Sequence, residues 1–318
     1  MRLNKMIRTL LLILIFSINH TANEPDKRVL TTLKYSKKYA RPSVVNGVPA
    51  KWGQVPYIVS IKEPIAKVSK LKSVWTNICG GSIIGPTKVL TAAHCFESRN
   101  FYYKKHPHKL RVVAGEFLTQ LIHTGNTCTT ETFQWRRITK VATHPDFYFP
   151  DNDIAVARVN QPWVYKDNVD FILPAVRGNI EYPVGCTAAG FGSISHTKGR
   201  QTISPVLLVG QMFLLPKKNC SWIWEMDMDN FICTYSYMSD VSHGDSGGPL
   251  VCKGSKDPAE RRLKRNALLV GVVSGKNFDK TSIFTRVAAY HDWIDKNLAQ
   301  RARLSVITLT INYVLFSF

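Results

Sequence analysis

The sequence predicts an all-β fold, and three observations carry that expectation. Apolar residues alternate with polar ones over short runs, the period of a strand with one face on a core. Turn residues separate the runs. One stretch alone has a convincing helical period. The strand-like runs are residues 55–62, 88–92, 111–117, 137–143, 153–159 and 268–274. They are too short and too numerous for helices, and they suggest barrels or sandwiches. The helix is expected over 285–298, where Val287, Tyr290, Ile294 and Leu298 fall on one face. Nothing repeats at a solenoid period. The length of 318 residues suits one large domain or two small ones.

The two ends read differently from the middle. Arg2, Lys5 and Arg8 make a basic start, and residues 10–16 make a short apolar core. This is the pattern of a secretory signal peptide, assigned to residues 1–22. The core is too short to span a bilayer. Residues 23–43 are basic and polar without hydrophobic patterning, and read as a propeptide. Residues 304–318 are apolar and uncharged, behind Arg301 and Arg303. They fall short of the roughly 20 residues that a helical span needs. Simple secretion is preferred to membrane attachment through this 299–318 tail. An extracellular location also suits the cysteines, since disulfides persist in oxidising compartments.

The net charge is +20. Nine Lys/Arg against two Asp/Glu in residues 1–43, and two Arg without an acid in 299–318, leave +11 for residues 44–298. The densest basic patch, Tyr102-Tyr103-Lys104-Lys105-His106-Pro107-His108-Lys109, reads as a surface loop. Basic and aromatic residues together can bind nucleic acid, but secretion argues against that partner. No metal-ligand spacing is present, and no cofactor or metal is expected. Asn219-Cys220-Ser221 is a formal glycosylation sequon.

The chemistry is concentrated in Gly244-Asp245-Ser246-Gly247-Gly248-Pro249-Leu250. A serine hydroxyl is a weak nucleophile until a base takes its proton and donors stabilise the oxyanion. Glycines around Ser246 permit the tight backbone that aims N–H groups at one point. A base is offered by His94 in Thr91-Ala92-Ala93-His94-Cys95. An acid is offered by Asp153, where Asp151-Asn152-Asp153 leads into an apolar strand. Asp151 follows Pro150 and reads as a turn residue.

These motifs, in the order His94, Asp153, Ser246, resemble the chymotrypsin-like (trypsin-fold) serine endopeptidases over most of the chain, residues 44–298. The resemblance implies two six-stranded antiparallel β-barrels, a cleft between them and a C-terminal helix. It implies the family's mechanism, with backbone N–H groups of Gly244 and Ser246 as oxyanion hole and Ser274 supporting the buried aspartate. His243 is expected at the pocket rim. The resemblance also implies disulfides Cys79–Cys95, Cys186–Cys252 and Cys220–Cys233. Seven cysteines cannot all pair internally. Cys128 is left as a free thiol, an intermolecular link or half of a pair with a separate partner, and an unpaired or externally paired thiol is preferred. Protein or peptide substrates are implied, with an activating protease and protein inhibitors as further partners.

Three departures from the family pattern bear on function. A pocket disulfide is missing: Ser242 stands at one cysteine position, and the 275–282 loop has no cysteine. The family's Ser-Trp-Gly strand reads Ser274-Gly275-Lys276, and Ser282 sits near a position usually held by glycine. Asp240, six residues before Ser246, matches the aspartate that selects Arg or Lys in trypsin-like members. The resemblance puts Lys276 where a small pocket-wall residue belongs, and a wall lysine there is expected to pair with Asp240 and oppose such a substrate. Finally, Val44-Val45-Asn46-Gly47 resembles the mature start of these enzymes, whose new α-amino group pairs with Asp245. The residue before Val44 is Ser43, not Arg or Lys. Two functions follow: a secreted endopeptidase cleaving after Arg or Lys, which is preferred, and a non-cleaving regulator or binding protein on the same fold.

Overall fold

In a computed structural model the chain is described over residues 47–299, except 71, 125–131, 178–181, 183–184, 194–202, 236–238, 261–266 and 277–280. Val44, Cys128, the segments expected to be signal peptide and propeptide (1–43), and residues 300–318 of the expected tail lie outside the described residues.

Alternation builds two antiparallel sheets of seven strands each. The first contains β2 (Ile58–Lys67), β3 (Lys72–Gly85), β4 (Lys88–Thr91), β5 (Arg111–Ala114), β6 (Leu121–Thr124), β7 (Gln134–Thr143) and β8 (Ala155–Val159). Its order is β2-β5-β7-β8-β4-β3-β6, and β2 also pairs with β3. That pairing closes six strands into a barrel and leaves β6 hung on the outer length of β3. Val59, Ile61, Ile83, Leu90 and Val112 point inward and are almost wholly buried.

The second sheet contains β1 (Val48–Pro49), β9 (Gly185–Gly190), β10 (Leu208–Phe213), β11 (Phe231–Thr234), β12 (Pro249–Lys253), β13 (Ala267–Lys276) and β14 (Ser282–Arg286). Its order is β1-β10-β9-β12-β13-β14-β11. A bridge between Leu214 and Thr234 brings the end of β10 to β11, so six strands again form a barrel. The seventh strand is β1, two residues that pair Val48 with Val209. The expected two-barrel architecture is therefore present, each barrel carrying one extra strand. Closure removes the unpaired edges that open sheets must protect.

The barrels also meet backbone to backbone, at residues 117–119 against 205–207 and beside the nucleophile. The Gly80 N–H donates to the Ser246 carbonyl at 2.7 Å. A Cβ on Gly80 would lie 2.9 Å from the Gly248 Cα, so only glycine admits this approach. The disulfides Cys79–Cys95, Cys186–Cys252 and Cys220–Cys233 are all formed. The first ties β3 to the segment that carries His94.

Helical periodicity misled at one place. Of the expected helix 285–298, only the second half is α-helical, α3 (His291–Ala299). Residues Ser282–Arg286 form β14, and Val287–Tyr290 form a 3₁₀ turn. Tertiary pairing overrides the local period there: Thr285 pairs with Phe231 on one side and Val272 on the other. The basic patch at 102–109 is not a plain loop. It begins as the end of α1 (His94–Lys105) and continues in a 3₁₀ turn at Pro107–Lys109. Tyr103 is buried there and donates to the Glu63 carboxylate. A further short helix, α2 (Lys217–Trp224), precedes β11 and carries Cys220.

Lys62 on β2 is the largest fully buried charged side chain. Its ammonium donates to the Thr119 carbonyl at 2.5 Å and lies 5.5 Å from the Phe191 ring centre. Burial lowers its pKa to about 7 from 10.5. Between those values the unfolded chain holds more protons at this site than the folded chain, so stability rises with pH across that window. Lys62→Met is expected to flatten this rise. Urea midpoints of both proteins at pH 7 and pH 9.5 measure it; equal slopes would exclude a buried, readily deprotonated Lys62.

Candidate active site

Asp153 stands just before β8 and is fully buried. A buried carboxylate must be surrounded by donors, and this one is. The His94 backbone N–H donates to Oδ1 at 2.9 Å, and His94 Nδ1 meets Oδ2 at 2.7 Å. The Ser274 hydroxyl donates to Oδ2 at 2.6 Å. The Thr285 hydroxyl donates to the Asp153 carbonyl at 2.8 Å. His94 and Asp153 come from the first barrel, Ser274 and Thr285 from the second. With Nδ1 bound to the carboxylate, Nε2 is the nitrogen left to act as a base. Asp151 is exposed, and its carbonyl accepts the Tyr148 N–H at 3.1 Å, as a turn residue would.

Ser246 and His94 line the same cleft, of about 610 Å³. The cleft also contains His243 and Gly244, so His243 sits at an exposed rim. Gly244 has φ +98°, a left-handed value that glycine tolerates. Its carbonyl is held from behind: the Ser60 hydroxyl donates to Asn77 Oδ1 at 2.6 Å, and Asn77 Nδ2 donates to the Gly244 carbonyl at 2.8 Å. This anchor fixes the peptide that precedes the nucleophile. Sequence reasoning missed Asn77, 167 positions away; its only signal was a polar residue two before Cys79, the cysteine that the resemblance pairs with Cys95.

Asp245 turns away from the cleft and is also buried. Its Oδ1 accepts the Gly192 N–H at 2.7 Å, and Oδ2 accepts the Ser242 N–H at 2.9 Å. Among the described residues no cation reaches it. Burial therefore dominates and pushes its pKa up to about 7, with Asp240 adding to the rise and the two N–H groups opposing it. Gly190 and Gly192 leave the room that the carboxylate fills: a Cβ on Gly192 would stand 2.4 Å from Oδ2.

Asp240 is buried next to the cleft floor. Its Oδ1 accepts the Val241 N–H at 3.0 Å and the Ser282 hydroxyl, and its Oδ2 is paired with the Lys276 ammonium. Phe149 was not singled out by sequence, although Phe147-Tyr148-Phe149-Pro150 is an aromatic run just before the acid. Its ring stands edge-on to His94 at 5.8 Å. It also fills the space above Gly275, 3.0 Å from where a Cβ would sit. An aromatic ring from the first barrel thus covers the place where the strand lacks its tryptophan.

Two outcomes test this geometry. Ser274→Ala should lower kcat by about 10- to 100-fold, the worth of one hydrogen bond to a charged group, while unfolding stays cooperative. An unchanged kcat would remove Ser274 from the acid's support. In the folded chain, Asp245 carries a proton that the unfolded chain has lost between pH 3.8 and about 7. Stability from this group falls as pH rises through that window. Asp245→Asn should abolish that fall in urea titrations at pH 4.5 and 7; an unaltered fall would contradict the assignment.

A family model described as Trypsin matches residues 44–294. A protein named Tryptase from Mus musculus is 28% identical over 272 residues, covering 80% of this chain and 88% of the tryptase. A protein named Venom peptide isomerase heavy chain from Agelenopsis aperta is 28% identical over 281 residues, covering 80% of this chain and all of that protein. With two β-barrels, a buried aspartate hydrogen-bonded to a cleft histidine and a family match over most of its length, the chain belongs to the trypsin family of serine proteases.

Proposed function

We propose that this chain is a secreted serine endopeptidase, made as a precursor and switched on when Val44 becomes the N-terminus. The observation that carries this reading is the donor set around Asp153, which joins residues of both barrels and orients His94 in the cleft shared with Ser246. His94 takes the Ser246 proton as the serine oxygen attacks a peptide carbonyl. Asp153 holds the imidazole tautomer and stabilises the imidazolium. The N–H groups of Gly244 and Ser246 receive the oxyanion, each worth on the order of 3 kcal/mol. His94 then protonates the leaving amine, and water attacks the acyl-enzyme to release the acid. This is the family's route, carried over onto these residues.

Activation follows from Asp245. A buried carboxylate with only N–H donors is an unfinished arrangement. A free α-amino group at Val44 would complete it as an ion pair and secure the Gly244–Ser246 peptides. Cleavage before Val44 requires a protease that accepts Ser43 at the cut.

Preference for Arg or Lys rests on Asp240 being open to a substrate cation. The Lys276 ammonium on that carboxylate opposes it. Peptide-bond hydrolysis itself does not depend on this point.

The decisive experiment uses protein with Val44 as its N-terminus, beside Ser246→Ala. Cleavage of fluorogenic peptides is expected, together with stoichiometric labelling of Ser246 by diisopropyl fluorophosphate. Asp153→Asn should retain the label site but lose about 10⁴-fold in kcat, the magnitude established for this change in the family. No hydrolysis above the alanine variant, and no label, would leave the non-cleaving reading in its place.

A further inference from the structure

The peptidase mechanism makes no use of Lys276, yet this residue lines the cleft beside Ser274 and Gly275. It stands at the end of β13, with Ser282 of β14 as its register partner. Both side chains converge on one carboxylate: Ser282 donates to Asp240 Oδ1 and Lys276 pairs with Oδ2. The Val241 N–H completes the shell at 3.0 Å. Lys276 keeps 14% side-chain exposure, whereas Asp240 keeps 1%. The lysine is thus the surface a substrate meets, and the aspartate is the counterion beneath it.

We propose that Lys276 is a resident occupant of the cation site on Asp240, so that the primary pocket admits uncharged side chains and rejects Arg and Lys. This rests on the peptidase reading. A substrate cation would have to displace an ammonium tethered to the same fold, whose local concentration no dissolved peptide matches. During the exchange two positive charges would crowd one low-dielectric site, while the expelled lysine must be resolvated. An acidic side chain fares no better, because the ammonium it meets is already neutralised and Asp240 stands behind it. Val241, Val273 and Phe149 line the remaining cleft. Uncharged, largely apolar side chains bury surface there without breaking the pair.

Peptide amides that differ only in the residue before the scissile bond (Leu, Phe, Arg, Lys, Glu) test this on Val44-initiated protein. The parent should cleave the Leu or Phe peptide with kcat/KM at least about tenfold above Arg or Lys, a gap of roughly 1.4 kcal/mol. Lys276→Ala should raise Arg and Lys cleavage relative to Leu by about tenfold or more. Asp240→Asn, which leaves the ammonium uncompensated, should raise Glu cleavage relative to Leu. A parent that prefers Arg or Lys, or an Arg-to-Leu ratio unaltered in Lys276→Ala, overturns the inference. Binding of p-aminobenzamidine to Ser246→Ala protein separates the two proposals, since it needs no hydrolysis. Fluorescence should show binding at least about tenfold tighter once Lys276→Ala is added. Equal affinity overturns the lysine's role even where hydrolysis is seen. A tighter Lys276→Ala complex without hydrolysis in any protein preserves that role and sinks only the peptidase reading. Should Lys276→Ala not fold, the parent profile and Asp240→Asn still decide.

Discussion

Everything at this site depends on satisfying one carboxylate where water cannot reach it. Asp153 has no exposed surface, and an unpaired charge there would cost several kcal/mol. The fold meets the cost by drawing donors from both barrels. His94 approaches through its own amide and its ring, both within 2.9 Å. From the other barrel the Ser274 hydroxyl donates to the carboxylate, while Thr285 on the neighbouring strand holds the Asp153 main-chain carbonyl. The same contacts that solvate the carboxylate fix the imidazole and hold the barrels in register. Catalytic geometry and barrel association are therefore one arrangement of atoms, and a change in either disturbs the other.

Three aspartates near Ser246 are each at most 1% exposed, and each is satisfied differently. Asp153 is met by side-chain hydroxyl and imidazole groups and by a backbone amide. Asp240 has a lysine, a serine and a backbone amide. Asp245 has two backbone amides and, among the described residues, no cation. The difference assigns their roles. A carboxylate with hydroxyl and imidazole partners can orient a base. One with an internal ammonium is electrically closed. One with amides alone has no cationic partner among the described residues, and burial pushes its pKa up to about 7.

Much of this was legible in the chain because the triad motifs are local. Gly244–Ser246, Ala93–His94 and Asn152–Asp153 each fix a short stretch of backbone, and their order identifies the fold. The strand runs were legible for the same reason, since period-2 alternation depends only on neighbours. Reading failed where long-range pairing overrode the local period. The 285–298 segment has a helical stripe, but β11 and β13 claim its first residues as a strand. Asn77, Phe149 and Gly192 were missed because their partners lie far along the chain, and the polar residue beside Cys79 or the aromatic run before the acid does not by itself name the contact. Lys276 was visible as an anomaly, but its partner became definite only through the register that puts Ser282 beside it.

The altered pocket also explains how the segment before the nucleophile stays attached without its disulfide. Ser242 stands where a cysteine would have bridged to the loop beyond β13. In this chain Asp240 makes the corresponding link non-covalently, to Lys276 at the end of β13 and to Ser282 at the start of β14. A buried ion pair adds little net stability over an apolar contact, but removing one partner typically costs about 3–5 kcal/mol. The link is therefore weak as a source of folding energy and strong as a restraint. That restraint has a chemical consequence a disulfide lacks: it uses up the carboxylate on which a cationic substrate would depend. Holding the pocket wall and excluding a positive side chain are then two results of the same contact, which ties the missing cysteine, Lys276 and Ser282 into a single change.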